Sequence, residues 1–516
     1  MKLIEFFDRG ASLGGDHPCL VEAEGSRSYA KVQATTHRVA NACIRDGFAV
    51  GTPFAVFSGN KTMAFEVLLG CLRAGCVWVP ANARSAVGEL AHVFSLTGTK
   101  ILFYASALAA QVVELQVAAP SVSAYICIDG EPETEGHVSA DRWLAGTSET
   151  SPELNYSDDA LATLFPTGGT TGYPKAVMTS HRVWDARIAS TLLRIGCERP
   201  VQLVAAPMTH AAGAGALELM AIGSTTIVLP AFEPQAVIEA IGRHKVTHLF
   251  LPPTALYRVL SHPDARAGDY SSLRYLTVAA APVSADKLAE AVELFGPVVE
   301  QAFGGTELGT STCSFQPKAL AAAARAGDRE LLKSCGRPTP MSRVEIVGED
   351  GKALPVGEVG EIVVKSSSNA NGYYGNAEET ARAFRDGWFH TGDLGCKDGR
   401  GFVYIRDRLK DMLITGGYNV YPSEVERALL AHPAVQDCAV IGIPDPDWGE
   451  AVAAVVECKP GLSCAAEELI AWAKGRLSSY KVPKTVSFRD LPRSPVGKVL
   501  KRVLRDEHWR QAGRTI

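Results

Sequence analysis

The stretch RYLTVAAAPVSADKLAEAVELFGPVVEQAFGGTE, residues 274–307, runs from a short apolar segment through a small-residue turn into a helix-like segment and back to an apolar one. The pattern repeats outward from it. VTHLFLPP (246–253) lies before it, STTIVLP (224–230) leads into PQAVIEAIGRHK (234–245), and PFAVFSG (53–59) leads into the amphipathic MAFEVLLGCLRAG (63–75). Short β-favouring runs alternating with helices predict α/β layers with largely parallel strands. Ligands of such sheets collect at the carboxyl ends of the strands, where the glycine-rich turns lie. Near residue 340 the texture changes, and VEIVGEDGKALPVGEVGEIVVK (344–365) reads as a β-rich meander. After Arg408 it changes again: YPSEVERALLAHP (421–433), with a capping box from Ser423 to Glu426, and AAEELIAWAKGRLS (465–478) predict a small α+β unit.

A chain of 516 residues exceeds what one hydrophobic core organises, so more than one domain is expected. Hydrophobic residues at 47% and charged residues at 21% are ordinary for a soluble globular protein, and a net charge of -5 leaves no basic footprint for nucleic acid or an anionic membrane. No apolar run is long enough to span a bilayer, and the apolar part of MKLIEFFDRG is too short for a signal peptide, so a cytoplasmic, reduced protein is expected. The twelve cysteines include no CxxC pair, and Cys71 and Cys76 stand apart from other Cys or His. They read as small buried residues or inert thiols rather than zinc ligands. Small-molecule chemistry is favoured.

TGGTTGYPK, residues 167–175, forbids side chains at Gly168, Gly169 and Gly172, supplies hydroxyls at Thr167, Thr170 and Thr171, and ends in the ammonium of Lys175. Backbone N–H groups, hydroxyls and a point charge together make a phosphate cradle. It is not a Walker A loop, which needs Gly-Lys-Ser/Thr opening a helix; here Pro174 pushes Tyr173 toward an extended conformation. A plain Gly/Thr-rich surface turn would have the same composition, so the choice falls to context.

That context is a series of four further motifs in order: FGGTE from Phe303, WFHTGDLG from Trp388, RDRLKDMLITGGYNVYPSEVE from Arg406, and PRSPVGK ending at Lys498. Together with TGGTTGYPK they closely resemble the adenylate-forming superfamily of acyl-CoA synthetases, luciferases and peptide-synthetase adenylation domains, nearly end to end. Ala176 stands where the first motif usually has glycine, and Asp407 where glycine commonly precedes the arginine; neither change removes a reactive group.

The resemblance implies an α/β fold with a large multi-sheet N-terminal domain over 1–407 that binds ATP and the acid. It also implies a hinge over 408–410 and a small mobile α+β domain over 411–516 that carries the catalytic lysine. It further implies that a carboxylate attacks the α-phosphate of ATP, anion upon anion, so that cations and donors must absorb charge. Lys498 resembles the lysine that bridges carboxylate and α-phosphate. Glu307 resembles the Mg²⁺ ligand, suited by its hard oxygens, and Thr306 should touch a phosphate. Asp393 is placed to accept from the ribose diol, as the acidic residue of dinucleotide folds does, although a turn-forming Asp needs no ligand. Arg408 makes a second ribose or phosphate contact. Ala280, Ala281 and Pro282, with Phe303 and Gly304, resemble the wall beside the adenine.

For the second half-reaction the resemblance implies rotation about Lys410. This brings ITGGYN to the site, with Gly416 and Gly417 lining the pantetheine tunnel by close backbone approach. Trp448 is placed to stack on the CoA adenine, with a packing tryptophan as the other reading. The acyl pocket is framed by PMTHAAGAGAL (207–217), the AAAP loop and FGGTELGTS (303–311), with Ala211, Ala212, Gly213, Gly304, Gly305 and Leu308 as lining and His210 gating or positioning the acid. Gly304 sits where acetate-activating relatives place a tryptophan, so a roomy pocket is expected. These three stretches contain no Lys or Arg, which disfavours a dicarboxylate. An aromatic, alicyclic or medium-to-long-chain acid is the expected substrate, with ATP, Mg²⁺ and coenzyme A; a homodimer stays open. Two alternatives remain: an adenylating enzyme that loads a carrier protein, and a non-catalytic nucleotide-binding homologue.

Overall fold

A computed structural model of the chain describes residues 1–48, 50–167, 174–196, 199–494 and 499–511. The expected elements form. SADKLAEAVELFG folds as the helix Ala285–Phe295, opened by Ser284, whose side chain accepts from the Lys287 amide. It crosses between the parallel strands Tyr275–Val278 and Val299–Gly305. Those strands belong to a nine-stranded sheet in which Val299–Gly305, Tyr275–Val278, His248–Leu251, Val201–Val204, Thr225–Val228 and Pro18–Glu22 are successive parallel neighbours. The antiparallel Gly309–Phe315 returns beside Val299–Gly305.

A second sheet, of eight strands, centres on Val77–Asn82 and Pro53–Ser58 and ends toward one edge in the hairpin Leu161–Thr167 and Lys175–Ser180. Its strands are buried on both faces, as parallel strands covered by helices require. The apolar helix Thr62–Arg73 covers one face, and Trp78, Trp184, Phe54 and Phe65 are fully enclosed. The meander after residue 340 forms as Ser342–Val347 and Gly360–Ser366, adjacent strands of a further sheet.

By packing, the chain divides into Met1–Arg343 with Val364–Phe389, and Val344–Val363 with His390–Ile516. This division differs from one drawn at 407/408, because Val403–Arg408 pairs with Trp388–Lys397. Packing boundaries and hinges need not coincide. Within the smaller unit, Leu413–Thr415, Gly449–Cys458 and Val435–Asp445 form an antiparallel sheet, with Thr485–Phe488 added in parallel. Val425, Leu429, Val440, Val452 and Leu469 build its own core.

One local expectation is corrected. The helix over YPSEVERALL begins at Pro422, with Tyr421 as its cap, and Ser423 is already helical. Proline is pre-organised for the first helical position and has no N–H to satisfy, so the helix starts two residues too early for a Ser423–Glu426 box. Instead Ser423 donates its amide to Asp407 at 2.8 Å and its hydroxyl to the Arg406 carbonyl. Glu426 accepts from the Val440 amide at 2.7 Å and pairs with Lys501 at 2.8 Å.

The eleven cysteines among the described residues are free thiols, all buried except Cys458 and Cys464, and burial raises the Cys19 and Cys71 thiols. No helix among the described residues is long and apolar enough to cross a membrane.

Candidate active site

Three of the predicted stretches of the larger unit leave the carboxyl ends of parallel strands of one sheet. Ala205–His210 follows Val201–Val204, AAAP follows Tyr275–Val278, and GGTE closes Val299–Gly305. Ala280, Ala281 and Pro282 are exposed at their strand end, and Ala280 is held at φ 77°. A left-handed residue with a Cβ costs roughly 1–3 kcal/mol and persists where surrounding structure imposes it. Phe303 is buried, whereas Gly304 and Thr306 are half-exposed and Gly305 exposed.

Glu307 sits in a hydrogen-bonded frame. Tyr373 donates its hydroxyl to Glu307 Oε1 at 3.0 Å, and the Ala370 amide donates to the Glu307 carbonyl at 2.7 Å. Burial and the adjoining carboxylate push the Tyr373 phenol far above its ordinary range, so it stays protonated and keeps donating. Arg187, buried, donates Nη2 to the Thr306 carbonyl at 2.9 Å and Nε to the Ser368 carbonyl at 3.0 Å. Its loss of hydration lowers its pKa to about 10, which still leaves it charged. On the other side of Tyr373, Lys175 Nζ stands 5.1 Å from the ring centre and pairs with Glu379, which also pairs with Arg382. Burial alone would raise the Glu379 pKa; Lys175 and Arg382 hold it below the usual range. Thr167 and Lys175 are register partners at the base of the hairpin. Gly168, Gly169, Thr170, Thr171 and Gly172 lie outside the described residues.

Glu307 with one oxygen fixed by Tyr373 fits Mg²⁺ that arrives with a polyphosphate, since that ion takes one or two carboxylates and fills its other positions with phosphate and water. Among the described residues no cluster of three or more His, Cys, Asp or Glu forms a protein-only metal cage, which suits that mode.

The acyl stretch is shaped by asparagines. Asn60 donates to the Ala206 and Leu229 carbonyls and accepts from the Met208 amide, fixing the turn before His210. His210 precedes the helix Ala211–Met220, its Nδ1 2.6 Å from the Thr209 carbonyl and its Nε2 3.5 Å from Asn82. Ala212 and Leu308 are buried and Ala211 half-exposed. Gly213 is fixed by packing, because a Cβ there would lie 1.7 Å from the Met208 carbonyl oxygen.

Gly304 has a packing reason to be glycine in this conformation. A Cβ at 304 would stand 2.5 Å from the Gly309 carbonyl oxygen and 2.8 Å from that of Thr310, so a side chain there would require the hairpin to shift. Gly215 is different. It is helical and half-exposed, and a Cβ there would meet no atom within 4 Å, although glycine in a helix interior costs about 1 kcal/mol relative to alanine. The absence of cations from the three stretches is also incomplete as a guide. Arg187 reaches the third stretch, at the Thr306 carbonyl, from the helix His181–Ile195, and Glu218, fully enclosed, accepts from Thr191 at 2.8 Å and Thr310 at 3.2 Å. Burial raises the Glu218 carboxyl to about 7.

In the smaller unit, Asp393 and Arg408 are opposite one another on antiparallel strands, with Arg408 Nε 3.4 Å from Asp393 Oδ1. Glu361 steadies the HTGD segment by accepting from the Gly392 amide at 3.1 Å and lying 2.8 Å from His390 Nδ1. Lys410 lies exposed in a tight turn in which the Asp411 and Met412 amides donate to the Arg408 carbonyl.

Gly416 and Gly417 form the turn between Leu413–Thr415 and Tyr418–Val420 with φ of 55° and 81°. Two positive φ values are what a two-residue hairpin of the primed type needs, so the turn itself calls for glycine. A Cβ on Gly416 would also strike the Trp448 ring at 2.4 Å. Trp448 is 44% exposed, with Lys484 Nζ over its ring at 4.8 Å from the centre. Lys498 lies outside the described residues. Its flanks are pinned by a bridge between Arg493 and Val499 and by the Leu500 amide donating to the Pro492 carbonyl at 2.7 Å.

Tyr373, Arg187, Asn60, Glu361 and Glu379 escaped the reading of the sequence. Each works by supporting a neighbour across the fold, and only the aromatic pair in NGYYGN carried any local signal.

Comparison with known proteins agrees with this geometry. Residues 7–374 match the family model described as AMP-binding enzyme, and residues 424–498 match the AMP-binding enzyme C-terminal domain. A feruloyl-CoA synthase of Amycolatopsis sp is 37% identical over 478 residues, covering 92% of each chain. A medium/long-chain-fatty-acid–CoA ligase, FadD8, of Mycobacterium tuberculosis is 37% identical over 414 residues, covering 77% of this chain and 70% of its own. Among solved structures, the amide bond synthetase McbA from Marinactinospora thermotolerans superposes with a TM-score of 0.87 at 31% identity, covering 97% of this chain and 99% of its own. With a family model spanning most of its length and the supporting geometry in both units, this chain belongs to the AMP-binding enzyme family.

Proposed function

We propose that this protein is an ATP-dependent acid:CoA ligase. It condenses a carboxylic acid with ATP to an acyl-adenylate, releasing pyrophosphate, and passes the acyl group to the CoA thiol, releasing AMP. The observation that carries the first half-reaction is the contact set Lys175, Tyr373, Glu307: a cation over the ring, and a carboxylate accepting from the hydroxyl, of one buried tyrosine, with Glu307 following the strand that neighbours the one carrying the AAAP turn.

Lys175 and the hydroxyl and amide groups of residues 167–172 would hold the phosphates, and Asp393 with Arg408 the ribose. Lys498 would take up the charge that develops as the carboxylate attacks the α-phosphate. Glu307 would hold Mg²⁺, which neutralises phosphate charge when bound. In the second half-reaction, rotation at Lys410 would exchange Lys498 for the Gly416–Gly417 turn as the group serving the acyl carbonyl. There the thiol adds and AMP leaves.

For the acid, the helical face with Ala211 and Gly215 supports a wide aromatic, alicyclic or medium-to-long acyl group. The relatives named above, one for a phenylpropenoid acid and one for fatty acids, favour the same range. Pyrophosphate exchange into ATP, measured across acetate, malonate, octanoate, benzoate and ferulate, should be strongest for the larger monocarboxylates. Gly215→Leu should then lower kcat/KM for the largest active acid by about tenfold or more, with KM for ATP nearly unchanged, because side chains added to an apolar wall discriminate on that scale. An unaltered acid profile would place the acyl group away from this helix.

A further inference from the structure

The turn at Lys410 is tied down from both of its flanks by side chains distant in sequence. On the upstream side, Asp407 is buried. It accepts from the Arg408 amide at 2.8 Å through one oxygen and from the Ser423 amide at 2.8 Å through the other, so a carboxylate before the turn caps the helix that follows it. The Ser423 hydroxyl adds a bond back to the Arg406 carbonyl. On the downstream side, Arg505 comes from the helix Lys501–Gln511, which begins three residues after Lys498. It donates Nη1 to the carbonyl of Lys410 itself at 3.0 Å and stands 3.7 Å from Asp411 Oδ1, both side chains being largely buried. Its Nε is enclosed and has no hydrogen-bond partner among the described residues.

The direction of a carbonyl is set by the torsions of its own residue. Turning the chain at Lys410 therefore swings the oxygen away from Arg505 and carries Ser423 away from Asp407. The unpartnered Nε leaves that guanidinium a spare donor once Nη1 is released.

We infer that Asp407 and Arg505 are positioning residues that latch the Lys410 turn and so set how the enzyme divides its time between its two half-reactions. This rests on the ligase reading and on Lys410 as the hinge. Neither residue needs to touch a substrate. Each stabilises one setting of the turn, and removing either should favour the other setting.

The test uses the full-length chain. Arg505→Met should move acid-dependent pyrophosphate exchange and thioester formation from synthetic acyl-adenylate in opposite directions. Their ratio should change about tenfold or more, the scale of one hydrogen bond from a charged donor. Asp407→Ala should shift the ratio in the same sense. Asp407→Asn keeps an oxygen for the Ser423 amide and should restore it toward the parent value. Independently of activity, limited trypsin digestion should cut after Lys410 faster in Arg505→Met and Asp407→Ala than in the parent, with melting temperatures showing that both variants fold. If both half-reactions fall together, or the ratio stays fixed, the latch is wrong and the contacts are merely structural, whatever the trypsin result. Should the parent exchange pyrophosphate with no acid, the ligase reading fails instead, and cleavage at Lys410 alone decides whether the turn is latched.

Discussion

Lys498→Ala is expected to lower acid-dependent pyrophosphate exchange by about a hundredfold to a thousandfold, the usual loss when a positioned donor to a developing charge is removed. Thioester formation from synthetic acyl-adenylate should stay close to the parent rate. The asymmetry follows from charge. In the proposed first half-reaction an anionic carboxylate would approach an anionic phosphate, and the lysine would offset repulsion that grows toward the transition state; in the second the nucleophile would meet an already activated, uncharged carbonyl. Of the described residues flanking Lys498, Arg493 and Val499 form a bridge, Arg493 pairs with Asp437 and Glu457 at 2.7 Å each, and Lys501 pairs with Glu426 in the interior of the smaller unit. Equal losses in both half-reactions would make Lys498 a structural or general binding residue.

The second large effect should come from blocking the thiol step while sparing adenylation. Proline fixes its own φ and restricts the residue before it, so Lys410→Pro should hinder the torsion change that a hinge requires. Gly417→Leu should obstruct the thiol's path by bulk. The turn adds a condition to this experiment, since Gly417 has φ 81° and any side chain there is strained. Gly417→Ala carries the same backbone penalty with little bulk and is the control. Lys410→Pro and Gly417→Leu should keep exchanging pyrophosphate, make acyl-CoA more than about tenfold more slowly, and accumulate bound acyl-AMP, whereas Gly417→Ala should lose much less. Parallel loss of exchange and thioester synthesis in all three would mean that the smaller unit does not change its role between the steps.

Much of the fold was legible because it rests on local pattern. The run YLTV, the helix SADKLAEAVELF and the return VVEQAFG fold as read, with Ser284 capping the helix, since periodicity and caps act within a few residues. The capping box at Ser423 failed because Pro422 outranked it one position earlier, and the freed serine was recruited by Arg406 and Asp407.

The glycines show the limit of reading residue types. Gly304, Gly416 and Gly417 are where a ligand would need close approach, yet each also has a backbone reason for being glycine, visible only once Gly309, Thr310 and Trp448 are in place. Gly215, with room around it and no such reason, could not be told from its neighbours in AAGAGAL. The support of Glu307 by Tyr373, and of the Thr306 carbonyl by Arg187, joins residues 66 and 119 positions apart. No local motif carries that information.

Product analysis tests the central claim most directly. With purified protein, ATP, Mg²⁺, CoA and the acid that best supports pyrophosphate exchange, an acid:CoA ligase should release AMP and pyrophosphate and form one acyl-CoA thioester for each AMP. Release of ADP and phosphate would contradict adenylate chemistry, and AMP release with acyl-adenylate but no thioester until an amine or a carrier-protein thiol replaces CoA would contradict the acceptor.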